Sequence, residues 1–97
     1  MSIFSRLFRH DLHKNHAILL RSHVEYFDMT AYISLVFMDG QRTLKATEIK
    51  SFTFCQSTCS YLLLISADQC SETKRISKKC KDEIEKLQLL LDDIIYE

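Results

Sequence analysis

The spacing of apolar positions changes character along the chain, and each change marks an element. Ile3, Phe4, Leu7 and Phe8 recur at helical spacing while Ser5, Arg6 and Arg9 face away, which predicts a short amphipathic N-terminal helix over residues 2–9. Asp11 interrupts that pattern and suits a cap for a following segment. Residues 12–27 fit two periods. Leu12, Leu19, Leu20, Val24 and Phe27 follow a helix loosely, and residues 17–27 also read as a strand. A helix to about residue 22 is the favoured assignment.

From residue 30 the period shortens. Asp39-Gly40 is a strong hairpin signal, because a two-residue type I′ turn needs positive φ at both central positions. With that turn, Leu35 opposes Leu44 and Ile33 opposes Ala46 on one face. Ser34 opposes Lys45, Val36 opposes Thr43 and Tyr32 opposes Thr47 on the other. A slip of one residue would destroy the match. Ile49, Phe52 and Phe54 continue as a strand, Gln56-Ser57-Thr58 reads as a turn, and Ser60 to Ala67 is the most apolar strand. Together these predict an antiparallel meander of three strands, or four.

The last segment returns to a helical period. Ile76, Cys80, Ile84, Leu87, Leu91 and Ile94 form a stripe, widened by Leu90 and Ile95, that predicts one long helix over residues 71–96 with Ser71 as its cap. The expected architecture is therefore α+β: a short N-terminal helix, an antiparallel meander, and a long amphipathic C-terminal helix packed on one sheet face. The length of 97 residues fits a single domain, residues 1–97, with a thin core.

Composition narrows the chemistry. Apolar residues make up 46% of the chain, too many for a disordered tail. Thirteen basic residues balance thirteen acidic ones, so only local clusters can attract an anion. With one glycine, Gly40, and no proline, the chain cannot carry a Walker loop, a dinucleotide fingerprint or a nucleophile elbow, each of which needs several glycines. No run is long enough for a transmembrane helix, and the apolar stretch from Ala17 to Leu20 is too short for a secretory segment. The N-terminus resembles an Arg-bearing transit segment only loosely. The expected location is cytoplasmic, with Cys55, Cys59, Cys70 and Cys80 reduced.

Four groups of residues invite a functional reading. Cys55 and Cys59 flank a turn, the only close cysteine pair, with a spacer looser than a zinc site's; small half-buried hydrophobes are the plainer reading. His10, His13, His16 and His23 would share one face of a continuous helix, yet no carboxylate partner is evident and a solvated face is the plainer reading. Lys74, Arg75, Lys78, Lys79 and Lys81 open the expected helix while Asp92, Asp93 and Glu97 close it, which reverses the order that the helix dipole favours by about 0.3–1 kcal/mol per charge. An anionic protein or a phosphate backbone would suit the basic end, though no aromatic is interleaved for stacking. Lastly, Leu89 and Tyr96 lie nearly opposite the buried stripe. One sheet cannot cover both sides, and burying those two side chains is worth about 3–5 kcal/mol.

These observations lead to a non-catalytic protein–protein interaction module: a small adaptor, inhibitor or regulator, of a size that suits a viral or mobile-element protein. It would use the C-terminal helix, with Leu89, Tyr96, Asp92 and Asp93, together with the adjoining sheet. It would pair as a homodimer and require no cofactor. The alternatives are a nucleic-acid-binding regulator using Lys74, Arg75, Lys78, Lys79 and Lys81, and a zinc or thiol-redox module using Cys55 and Cys59. Acid–base residues brought together from distant parts of the chain would escape this reading.

Overall fold

The computed structural model describes residues 16–95. It is α+β, with two antiparallel sheets followed by one helix. The first sheet has the order β1-β2-β3, formed by β1 (Leu19–Phe27), β2 (Thr30–Phe37) and β3 (Gly40–Lys45). A single 3-10 turn, Ala46–Glu48, passes the chain to the second sheet. There β4 (Ile49–Cys55), β5 (Ser60–Ala67) and β6 (Cys70–Ser77) repeat the meander. Helix α1 (Lys81–Ile95) completes the described chain. The expected N-terminal helix over residues 2–9 lies outside the described residues.

Three expectations are corrected. The single meander is two meanders of three strands each. The segment favoured as a helix up to residue 22 is β1, whose pattern is blurred by a register shift between Leu19 and Arg21 and by Ser22 facing inward. The final helix begins at Lys81, not Ser71, and residues 70–77 are β6. That strand pairs Cys70, Glu72 and Lys74 with the inward Ala67, Ile65 and Leu63, so two charged residues occupy the middle of its inner face. A strand without apolar alternation carries no period-2 signal, and Ile76 and Cys80 then look like a prolongation of the helical stripe.

The β2–β3 hairpin also differs in detail. Its turn is Met38-Asp39, and Gly40, with φ of 158°, opens β3 opposite Phe37. Ile33 therefore faces Leu44, and Leu35 faces Arg42. The register is displaced by two residues from the expected one. A displacement of two keeps every side chain on its expected face, which is why the pattern could not tell the two registers apart. The true positive-φ turns contain no glycine: Asp28-Met29 (50° and 64°) joins β1 to β2, and Asp68-Gln69 (50° and 66°) joins β5 to β6.

The core lies between the inner faces of the two sheets. Leu19, Ile33, Leu35, Phe37 and Leu44 come from the first, and Leu63, Ile65 and Ile76 from the second. Ile84 and Leu87 of α1 close it. Residues just before β1 tie the sheets together. Ala17 donates to the Arg75 carbonyl at 2.7 Å and accepts from Ser77 N–H at 2.8 Å, forming a parallel bridge to β6. The next residue, Ile18, accepts from Met38 N–H at 3.0 Å in the first sheet. One short stretch thus serves both sheets. Leu19 N–H also donates to Cys80 Sγ at 3.2 Å, fixing the start of α1 against β1.

Candidate functional site

The fold sets the environment of α1. Ile84 and Leu87 are buried, and one helical turn on, Leu91 and Ile94 are only half-buried. Leu89 points away from all of these and is 66% exposed. Apolar surface therefore reaches solvent on two sides of one helix.

On the inner side, Leu91 and Ile94 line a groove of about 400 Å3, together with Gln88 and Asp92 of α1. Its other wall comes from Ala46 in the 3-10 turn and from Ile49 to Thr53 of β4. The helix α1 packs chiefly against β1, and Gln88, Leu91, Asp92 and Ile94 of its second half face β4 across the groove. Ile49, Phe52, Leu91 and Ile94 give it an apolar floor, and Lys50 and Asp92 sit among its polar groups.

The sheet edges differ in how they are closed. β1 is flanked by α1. β6 receives the bridge from Ala17. Arg42 of β3 and Glu72 of β6 form an ion pair between the two sheets. Their hydrogen bond holds the Glu72 carboxyl below the usual range against an opposing effect of burial, and raises the Arg42 guanidinium. Beside them Lys74 Nζ lies 4.6 Å from the centroid of the Phe37 ring, a cation–π contact that also joins the sheets. Among the described residues no strand pairs with the outer edge of β4. Near that edge Phe52, Tyr61 and Phe54 form an aromatic row, with centroids 5.6 Å and 5.1 Å apart, and Phe54 is exposed. Such an open edge is a ready template for pairing.

The anticipated partner-binding residues divide. Leu89 and Asp93 are exposed on α1, and Asp92 lies at the groove. Tyr96 is outside the described residues. The basic group does not open a helix. Lys74 and Arg75 belong to β6, Lys78 and Lys79 to the following turn, and only Lys81 to α1. The first turn of α1 carries Asp82 and Glu83, which suit its dipole, so the reversed order survives only at the C-terminal end, where Asp92 and Asp93 stand without a base in the last turn. Arg75, Lys78, Lys79 and Lys81 are exposed, while Lys74 is half-buried over Phe37.

All four cysteines are unbonded. Cys55 ends β4, and Cys59 closes the turn with φ of 51°. Hydrogen bonds with Ser57, whose Oγ is 3.1 Å from Cys55 Sγ, and with Thr58 lower the Cys55 thiol to about 7. Among the described residues no three His, Cys, Asp or Glu side chains converge as metal ligands. His10 and His13 lie outside them, and His23 Nε2 lies 3.1 Å from Glu25 Oε1.

Neither the groove nor the open edge is legible in the sequence. Both depend on which strand ends up outermost and where α1 lies, and neither is a local property. Phe27 and Met29 are exposed at the β1–β2 tip, where the two periods that residues 12–27 fit leave the faces of the segment undefined in the sequence. No helix among the described residues is long and apolar enough to cross a membrane. The chain matches no known family model, no curated protein and no solved structure.

Proposed function

We propose that the chain is a non-catalytic protein–protein interaction module, an adaptor, inhibitor or regulator that engages a macromolecular partner through α1 and the adjoining β4. One observation carries this reading: α1 presents apolar surface to solvent on two sides, Leu89 on one and Leu91 with Ile94 on the other. A 97-residue chain that leaves a leucine of its described α-helix two-thirds exposed, with an apolar groove on the helix's other side, gains stability when a partner excludes water there. Asp92 and Asp93 on the same helix suit a polar or basic rim on that partner. Cytoplasmic residence and homodimerisation belong to the same proposal.

The test is affinity capture from the native host's lysate at low and high salt, with nuclease treatment, comparing the wild type with Leu89→Asp. The reading predicts a protein partner that persists at high salt and after nuclease, and is lost with Leu89→Asp. Capture that needs intact nucleic acid contradicts it.

A second reading has its own observation. Arg75, Lys78, Lys79 and Lys81 are exposed on β6, the turn after it and the start of α1, and Arg75 with Lys74 lines a recess of about 560 Å3. A nucleic-acid backbone fits such a cluster, although Asp39 shares the recess. This reading predicts binding that falls steeply with salt and disappears when Lys78 and Lys79 are both changed to Glu.

A further inference from the structure

The open edge of β4 has a sequence that complements itself. The register shift near Ile49 ends at Ser51, and from there β4 pairs regularly with β5 to Cys55. This regular stretch reads Ser-Phe-Thr-Phe-Cys, with no charge and no proline. Natural sheet edges are usually guarded by lysine, proline or a bulge. Here Lys50 and the register shift guard only the beginning of β4.

Turned about a two-fold axis at Thr53, the segment meets a copy of itself in matching order. Thr53 faces Thr53 of the second copy, Phe52 faces Phe54, and Ser51 faces Cys55. The phenylalanines oppose one another on one face and the small side chains of Ser51, Thr53 and Cys55 oppose one another on the other, with no charge anywhere in the seam. The aromatic row Phe52–Tyr61–Phe54 of each copy then continues across the axis. The chain's balanced formal charge opposes no such meeting.

We propose that β4 pairs antiparallel with β4 of a second copy of this chain, joining the two β4-β5-β6 sheets into one continuous sheet about a two-fold axis at Thr53. The pairing satisfies the outer backbone groups of Ser51–Cys55 and covers the exposed Phe54. It rests on the reading of the chain as an interaction module and specifies one of its partners. Leu89, on the outer side of α1, stays available to another.

Light scattering coupled to gel filtration tests the pairing, with Thr53→Lys and Thr53→Glu. Thr53 is exposed, so both variants retain the fold by circular dichroism. Wild type is expected at twice the 11.4 kDa of the chain. Each variant places like charges across the axis and is expected at half the wild-type mass, and their equimolar mixture returns to the dimer. Amide exchange on the wild type supplies a readout independent of substitution: the amides of Ser51–Cys55 exchange faster on dilution. A monomeric wild type overturns the pairing, including one whose β4 amides stay protected at every dilution because residues 1–15 of the same chain cover the edge. A dimer unaffected by Thr53→Lys also overturns it. A monomer that still captures a protein through Leu89 removes the pairing and keeps the module. A β4 dimer with no other macromolecular partner keeps the pairing and removes the wider role of α1.

Discussion

Arg42 on β3 and Glu72 on β6 join the two sheets by an ion pair. Arg42 stands across from the buried Leu35, and Glu72 across from the buried Ile65, so both side chains lie on the core-facing sides of their strands. This pair sits where two polar edge positions would otherwise face one another over the core. Both side chains are more than a third exposed, so water screens the attraction and its contribution is about 0.2–1 kcal/mol.

That pair gives a pH-dependent contribution with a definite sign. Because Glu72 titrates below its ordinary value of 4.5 when folded, its contribution is present above that value and is lost as pH falls through the lower folded value. Glu72→Gln should lower stability at neutral pH by no more than about 1 kcal/mol. In urea unfolding, the gap between wild type and variant should close in acid; a gap constant with pH would contradict this.

Two leucines two residues apart within one turn of α1 should respond very differently. Leu87 is fully buried, and Leu87→Ala should cost about 2–5 kcal/mol, a large part of what a domain of this size possesses. Leu89→Ala should change stability by less than about 0.5 kcal/mol. Chemical denaturation of the two variants measures both.

The turn Asp28-Met29 places a methionine side chain, fully exposed, in the left-handed region at φ 64°. Glycine adopts that conformation without the side-chain clash but gives up more freedom on folding. Met29→Gly should therefore raise stability by about 0.5–1 kcal/mol in thermal unfolding. A loss of stability would contradict this account of the turn.

Cys55 should be the first of the four cysteines to alkylate, its rate with iodoacetamide rising through about pH 7. The main cause of its lowered thiol is the hydrogen bond with Ser57, so Ser57→Ala should move the midpoint upward. Peptide mapping by mass spectrometry follows each cysteine separately. An unchanged midpoint in the variant would contradict the assignment.

The α+β class, the β2–β3 hairpin faces, the strand over 60–67 and the inward-facing stripe Ile84, Leu87, Leu91 and Ile94 were all legible in the sequence. Each rests on local periodicity, and local periodicity survives a two-residue displacement of register. β1 and β6 were not legible, because the inward Ser22 of one and the inward Glu72 and Lys74 of the other break the apolar alternation. Those inward polar residues are explained only by distant partners: Glu72 needs Arg42, and Lys74 needs Phe37. The exposure of Leu89 was anticipated from its position on the helix. The groove beside Leu91 was not, because it depends on how α1 crosses β4.

The claim that the exposed face of α1 is a recognition surface is tested most directly by photo-crosslinking. A benzophenone side chain replaces Leu89 in one version and the exposed Glu85, at the start of α1, in another. Both are irradiated in the native host's lysate. The account predicts a discrete protein adduct from position 89, the same partner from position 85 one turn earlier on that face, and both unchanged by nuclease. No adduct at position 89, or an adduct made of nucleic acid, would contradict it.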